Sequence, residues 1–199
     1  CCQAARQEII RRYYSTLCDQ RQGKLTGEEV MKVELLMSKA GVTPEDRPVI
    51  APVRELAEKT GLPAAAIQLP DGKIVTGKTS TLLGASSAAL LNALKALGGI
   101  HKEIHLISPI VIEPIQKLKI THLGNKNPLL HTDEILIALS ICAATNPTAE
   151  LAMQQLPKLR GCEAHSSVIL SHVDENTFRR LGVNLTCEPQ YQTNKLYHK

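Results

Sequence analysis

The sequence predicts an α/β protein with three layers, in which a mixed sheet that contains one β-hairpin lies between helices and follows a helical segment. Three observations support this fold class. The hydrophobic fraction of 43% over 199 residues is that of a chain able to bury a core. Capped helical patterns fill residues 1–61, and from residue 62 short strand-like runs alternate with apolar helical runs. We therefore predict a helical segment at 1–61 and an α/β domain at 62–199.

The first 61 residues show three helical patterns. Residues 3–20 and 27–41 are both amphipathic, and the second pattern begins after Thr26, a residue type that caps free helix amides. Gly41 stands where a residue in the left-handed conformation commonly ends a helix. A third helix is predicted within residues 43–61, after a Thr-Pro-Glu-Asp start signal.

The remaining residues alternate between strand and helix patterns. The strands are predicted as a hairpin over 64–77 and as single strands over 103–107, 163–170 and 183–187. The helices are predicted over 86–97, 109–123, 132–145, 146–156 and 174–181. This order favours a mostly parallel sheet with one antiparallel hairpin.

One segment, Gly72–Thr79, matches the Walker A pattern G-x-x-x-x-G-K-[ST], which forms a loop around phosphates in nucleotide-binding proteins. Here the residues between the two glycines, Lys73–Thr76, are rich in β-branched types and favour a strand. Asp71 and Gly72 stand between this run and another apolar run, which is a strong signal for a type I′ hairpin turn. We therefore predict that Gly72 closes a hairpin and that Gly77 ends its second strand.

Composition narrows the classes of partner. The chain has one Phe, four Tyr and no Trp, so the aromatic platforms on which single-stranded nucleic acids stack are scarce. The net charge of +4 comes from interspersed charges, which count against a nucleic-acid groove. No apolar run is long enough to span a membrane. Six cysteines without a disulfide spacing favour a reducing cytoplasm. The chain begins at Cys1, and we expect it to be a piece of a longer protein.

The order of hairpin, helix, strand and helix resembles the cytidine-deaminase fold. In that fold the helix after the hairpin bears the first zinc ligand and a catalytic Glu, but this chain has Ala85-Ser86-Ser87-Ala88 there. The next helix should begin with P-C-x-x-C, and the segment Ser108–Pro114 contains no cysteine. Without these ligands there is no site for the zinc hydroxide. We predict a deaminase-like fold with neither a metal site nor a cofactor.

Several motifs also resemble a bacterial family known as domain of unknown function 1846. They are Leu69–Ser80, Leu83–Ala88, His131–Glu134, Gly161–Ser167 and the ending Cys187–Pro189 with Lys195–His198. The resemblance runs along the whole chain and implies that it is the C-terminal part of a longer protein, whose missing N-terminal part is an expected partner. Some members carry an ATP-dependent peptidase label, but the resemblance implies no established activity.

Small hydroxyl residues gather around the start of the helix predicted at 86–97. They are Lys78, Thr79 and Ser80 before the helix and Ser86 and Ser87 at its start. Hydroxyls and free amides at a helix N-terminus form an anion site, to which Lys78 adds a positive charge. The same residues are equally typical of a helix cap with small side chains that allow close packing against a sheet. Both interpretations stay open.

The candidates for acid–base chemistry are His131, Glu134 and His165. His131 and Glu134 begin a helix, and together they suggest a metal or acid–base cluster; a cap formed by Thr132 or Asp133 is the favoured alternative. Alternation in the strand places Glu163, His165 and Ser167 on one face, which could line a cleft at the end of the strand. The alternative is that His165 is a hydrogen-bonded polar residue without a chemical role.

These residues lead to three hypotheses about function. In the first, a pocket binds, or binds and transforms, a small anionic ligand, and the residues that converge on it are Lys78, Thr79, Ser80, Ser86, Ser87, Asn125, Asn127, His131 and His165. In the second, Gly72–Thr79 serves an ATP-dependent hydrolase or peptidase. In the third, the chain is a non-catalytic assembly domain whose apolar helices 82–97 and 135–144 contact the missing part or another copy, giving a homo-oligomer.

Overall fold

The structure is a computed structural model and describes residues 2–192. Within this range the helices are α1 (Cys2–Arg21), α2 (Gly27–Ala40), α3 (Ile50–Thr60), α4 (Ala85–Leu97), α5 (Pro109–Thr121), α6 (Thr132–Ala143), α7 (Pro147–Met153) and α8 (His172–Arg180). The strands are β1 (Ala64–Gln68), β2 (Ile74–Lys78), β3 (Glu163–Ser166) and β4 (Asn184–Cys187). The motif residues at 195–198 lie outside the described residues.

The four strands form one mixed sheet in the order β2-β1-β3-β4. β1 is antiparallel to both of its neighbours, β2 and β3, and only β3 and β4 are parallel. The predicted mixed sheet with one hairpin is therefore confirmed, whereas the expectation of a mostly parallel sheet is wrong. The reason is that the helices between β2 and β3 carry the chain past β1, so that β3 pairs with the side of β1 that β2 leaves open and runs antiparallel to β1.

The hairpin between β1 and β2 is confirmed, but its turn is not of type I′. A type I′ turn needs positive φ at both central residues. Gly72 has a φ of 85°, but Asp71 does not have a positive φ. Pro70 holds φ near −65° after Leu69, whose carbonyl accepts a 2.9 Å bond from the Gly72 amide. A three-residue loop with a glycine bulge results. Because residues 74–78 are strand, the Walker A segment forms no phosphate-binding loop.

Gly77 lies inside β2 and does not end it, which corrects the prediction. A Cβ atom at this position would lie 2.2 Å from the backbone nitrogen of Ala89 in α4. The helix and the strand therefore touch backbone to backbone, and only glycine permits this approach. The glycine of the Walker A pattern serves packing between α4 and the sheet.

The two faces of the sheet pack against different groups of residues. Ala65 and Ile67 of β1 belong to the large apolar core that α4, α6 and α7 cover. Ala64 and Ala66 point to the opposite face and pack against Val53 of α3. Helices thus cover both faces, and the predicted three-layer arrangement is confirmed. The division at residue 61 stays a prediction.

Arg47 connects the helical segment to the second face of the sheet. Its side chain is 0% exposed and bonds to the carboxylate of Glu163 in β3. The other N–H groups of its guanidinium donate further hydrogen bonds. Nε donates to the Thr186 hydroxyl at 3.0 Å, and Nη2 donates to the carbonyls of Ala164 and Asn184, both at 2.8 Å. Burial lowers the pKa of Arg47, and the adjacent Glu163 opposes that shift. A buried charge is tolerated only with such complete pairing.

The predicted strand at residues 103–107 is absent. This segment consists of turns, and Glu103, Ile104 and His105 are exposed while Leu106 and Ile107 anchor it in the core. The order of hairpin, helix, strand and helix, on which the resemblance to the cytidine-deaminase fold rests, is therefore interrupted at its third element. An apolar run of five residues can bury two side chains from a turn as well as from a strand.

We expect Arg47→Met to lower the free energy of unfolding by about 3 kcal/mol, because it removes one partner of a buried ion pair together with the guanidinium bonds to Thr186 and two carbonyls. Urea denaturation measures this loss. Arg12→Met, at an exposed position of α1, is the control and should change stability little. A loss of the same size in both variants would contradict a structural role for the Arg47 network.

Candidate functional site

Three helix N-termini meet at one edge of the sheet. At this edge β2, β3 and β4 end and β1 begins, as the pairings Ala64 with Lys78 and Ser166 with Cys187 require. The residues that precede α4, α6 and α8 are Gly84, His131 and Ser171, and all three line the same pocket. Helix N-termini carry partial positive charge, so their convergence favours negative groups here.

The three helices differ in how their first amides are bonded. In α8 the Ser171 hydroxyl accepts from the Asp174 amide at 3.2 Å. In α6 the amide of His131 donates to Glu134 Oε2 at 2.8 Å. α4 begins after Gly84, which has no side chain and therefore cannot cap. The N-terminus of α4 is thus the one of the three without a side-chain cap among the described residues.

Thr79 lines this pocket and carries an unused hydroxyl. Its amide donates to the Pro63 carbonyl at 2.9 Å, which holds the residue just after β2. The side chain is 9% exposed, and its Oγ1 has no hydrogen-bond partner within residues 2–192. An unsatisfied buried hydroxyl costs about 1–3 kcal/mol, so its presence calls for an explanation such as a bound water or ligand.

Asp174 is the negative group already present at the edge. Its carboxylate accepts from the Thr132 amide at 2.8 Å, the Thr132 hydroxyl at 2.9 Å and the Ser171 hydroxyl at 2.8 Å. His131 Nδ1 lies 2.9 Å from Asp174 Oδ2. Burial pushes the pKa of Asp174 upward, but the bonds from His131, Thr132 and Ser171 outweigh it and hold the pKa below its usual range. Asp174 is therefore ionised at neutral pH.

His131 is oriented by Asp174. A carboxylate only accepts, so the imidazole proton lies on Nδ1, and Nε2 has no partner within the described part of the chain. The hydrogen bond to Asp174 raises the pKa of His131 above its usual value, against the opposing effect of burial. Ser171 Oγ lies 3.3 Å from the same Nδ1, so the three residues do not form a nucleophilic triad, which requires the serine at Nε2.

The pocket that these groups surround is small. Its enclosed volume is 20 Å³, which is room for about one water molecule or one ligand oxygen. A larger cavity of 470 Å³ lies between α1, α8 and β4. Its charged side chains already have polar partners, as in Lys24 with Asp19 at 3.3 Å, Arg11 with Glu163 at 2.7 Å and Arg179 with the Asn176 amide oxygen at 2.7 Å. We therefore place the candidate site in the small pocket.

The structure brings together four of the residues singled out in the sequence: Thr79, Ser86, Asn127 and His131. Asp174 and Ser171 were missed. The local signal for them is the Ser-x-x-Asp spacing of a helix cap, whereas the predicted helix began only at Asp174.

Four other candidates lie outside this pocket. Lys78 and Asn125 are exposed and do not line it. The Ser80 hydroxyl accepts from the Leu83 amide at 3.0 Å and lines a separate cavity beside α5. The Ser87 hydroxyl donates to the Leu130 carbonyl at 2.9 Å and fastens α4 to the segment before α6. Ser87 therefore has the packing role that was the alternative in the sequence.

Glu134 has a structural role beside the pocket. Its carboxylate accepts from the His131 amide and, at 2.7 Å, from the ammonium group of buried Lys119. The residue at the cap position is therefore His131. The prediction that Thr132 or Asp133 forms the cap is wrong. Because Lys119 neutralises Glu134, a cap explains this carboxylate better than a metal site with His131 does.

His165 lies on the opposite side of the sheet. The predicted alternation is correct, since Glu163 and His165 share one face while Ala164 joins the large core. His165 lines no cleft among the described residues, because Tyr14 packs edge-on against it with 5.0 Å between ring centroids. Nδ1 bonds to Thr186 at 2.8 Å and Nε2 to Glu188 at 3.3 Å. Burial lowers the pKa of His165, so it is a neutral, hydrogen-bonded core residue.

Known proteins resemble this chain along its whole length. The family profile described as Domain of unknown function DUF1846, C-terminal, matches residues 45–197, and the profile described as DUF1846, N-terminal, matches residues 1–41. A UPF0371 protein of Corynebacterium efficiens is 56% identical over 199 residues, which are 100% of this chain and 40% of that protein. A UPF0371 protein of Streptococcus pyogenes serotype M5 is 54% identical over 197 residues, 99% of this chain and 40% of its own length. The chain thus spans about 40% of the length of these relatives.

Two further expectations bear on location. Among residues 2–192 no helix combines the length and apolarity that a membrane crossing needs. In the same range Cys18, Cys142, Cys162 and Cys187 are free thiols. The predicted cytoplasmic location stays a prediction.

We expect His131→Gln to destabilise the chain more at pH 6 than at pH 9. The folded-state pKa of His131 is raised, so its contribution is complete below the unfolded value of about 6.5 and is lost as the pH rises through the folded pKa. Because the pair with Asp174 is partly solvated, the effect at pH 6 is at most about 1 kcal/mol. Thermal unfolding at both pH values measures it, with His172→Gln at an exposed site as control. A loss that grows with pH would contradict the pairing.

Proposed function

This chain belongs to the family described as domain of unknown function DUF1846, and on that premise we propose that it binds a small oxyanion, the phosphate or carboxylate group of a ligand, at the N-terminus of α4. The observation that carries the proposal is that Thr79 lines the pocket beside the uncapped start of α4, while its buried hydroxyl has no partner among the described residues. An oxyanion accepts from a hydroxyl and from helix amides at the same time.

The donors of the proposed site come from separate segments. In α4 the first bond within the helix is donated by Ala88 to the Gly84 carbonyl at 3.0 Å, so the amides of Ala85 and Ser86 have no acceptor inside the helix. The Thr79 hydroxyl approaches from the end of β2. His131 lines the same pocket from the start of α6. Donors from α4 and from the residue after β2 thus line one pocket together with His131, and no described lysine or arginine lines it.

The size of the pocket limits how the ligand enters. One oxygen of the anion fills the enclosed 20 Å³, and the rest of the ligand lies in the mouth. A structural water bonded to Thr79 is the competing explanation for the same space. The His131–Asp174 pair beside the bound group has the geometry of an oriented acid or base, so transformation of the ligand is compatible with the site.

We expect Thr79→Val to abolish or strongly weaken anion binding while leaving the fold intact. The two side chains have the same shape, and removing an unpaired buried hydroxyl should raise the free energy of unfolding by up to about 1–3 kcal/mol. Calorimetric titration with sulfate and with phosphate measures binding, and urea denaturation measures stability. Thr76→Val, in β2 and outside the pocket, is the matched control.

The outcomes of this titration separate the two explanations. Binding that is lost in Thr79→Val and retained in Thr76→Val supports the anion site. No binding of either anion to the wild-type chain, or equal binding by both variants, would sink the proposal and leave Thr79 bonded to a structural water.

A second function, assembly, is favoured by the outer face of α6. Ile137 and Ile141, one turn apart, are 60% and 63% exposed, and Ile110 at the start of α5 is 80% exposed. The other helix named in the sequence, α4, is not available, because its apolar residues are buried within this chain. The relatives are longer than this chain, so the rest of such a protein is a partner equally suited to this face.

We expect Ile141→Ser to reduce self-association if a second copy covers α6, because it removes an apolar group from the contact. Sedimentation velocity over a range of concentrations measures the association. Met31→Ser, at an exposed position of α2, is the control. A wild-type chain that sediments as a monomer at all concentrations would exclude the second copy.

A further inference from the structure

The charge of the pocket depends on the protonation of His131. Three charged groups face this imidazole: Asp174 from α8, Glu134 from its own helix and Lys119 from α5. Lys119 and Glu134 are 2.7 Å apart and largely cancel each other. Asp174 remains, bonded to Nδ1. With neutral His131 the pair carries one negative charge, and with protonated His131 it carries none.

The protonation state also decides what Nε2 offers to a ligand. Because the proton on Nδ1 is held by Asp174, the neutral ring presents a lone pair at Nε2. A lone pair repels the oxygen of an anion, as does the nearby charge of Asp174. After protonation Nε2–H becomes a charge-assisted donor. His131 and Thr79 line the same pocket, and the Thr79 hydroxyl has no partner among the described residues, so an oxyanion held there lies beside both residues.

This inference rests on the proposed function. We propose that the pocket binds its oxyanion together with one proton, which His131 takes up on Nε2 from solvent and returns when the anion leaves. The ligand class that this arrangement suits is a fully ionised tetrahedral anion of the phosphate type, since its second negative charge gains most from the added positive charge. His131 is then a binding residue whose protonation couples affinity to pH, and Asp174 positions it.

Sulfate is the probe for this proposal, because it stays a dianion across the accessible pH range and any pH dependence therefore belongs to the protein. Calorimetric titration of the 199-residue chain at pH 5.5 to 8.5 gives the affinity, and two buffers with different heats of ionisation give the number of protons taken up. We expect the affinity to fall by up to about tenfold per pH unit above the pKa of His131. Proton uptake should rise towards one over the same range.

Two variants separate His131 from other titrating groups. His131→Gln should bind sulfate more weakly at pH 5.5 and lose the pH dependence. His172→Gln, at the exposed start of α8, should behave like the wild type. The NMR titration of the wild-type imidazoles is independent of both variants, and saturating sulfate should shift the titration midpoint of His131 to higher pH.

The possible failures are distinguishable. Sulfate binding that is lost in Thr79→Val but shows no proton uptake, or a His131 midpoint that sulfate does not move, overturns the proton linkage and leaves the proposed anion site standing. No sulfate binding at any pH overturns both. A pH dependence that persists unchanged in His131→Gln overturns the assignment to this residue.

Discussion

The candidate site depends on the hydrogen bonds that the buried carboxylate of Asp174 accepts. It receives hydrogen bonds from the backbone and hydroxyl of Thr132, from Ser171 and from His131. These donors belong to the starts of α6 and α8, so a single side chain joins the two helix ends and orients the imidazole. The helices bring partial positive charge to the edge, and Asp174 compensates part of it. What remains uncompensated is the N-terminus of α4.

The two faces of the sheet and the edge at which its strands end differ in how their polar groups are bonded. One face is apolar and carries α4, while the other buries Arg47 and His165 in a fully bonded network that attaches the helical segment. The polar groups of Arg47, His165 and Thr186 on this second face bond to one another or to adjacent groups. At the edge, by contrast, the Thr79 hydroxyl has no partner within the described residues. An unsatisfied group inside an otherwise satisfied protein is the better indicator of a site.

The Walker A pattern illustrates why a motif needs its structural context. Gly72 is present because the hairpin loop needs a positive φ, and Gly77 because α4 touches β2 through its backbone. Both glycines have reasons that involve no nucleotide. Thr79, the last residue of the pattern, is the one that reaches the candidate pocket, and it does so through the position of β2 rather than through a phosphate loop.

Features whose physical cause is local can be predicted from the sequence alone. The hairpin, the helix cap at Thr26 and the alternation of Glu163 and His165 depend on bonds or geometry within about four residues, and each has a recognisable pattern. Which helix ends meet depends instead on tertiary packing. His131 and Asp174 are 43 residues apart, and Arg47 and Thr186 are 139 apart. No local pattern encodes such contacts, because they form only when the packing of helices on the sheet brings distant segments together; for the same reason the run at 103–107 became a turn anchored in the core.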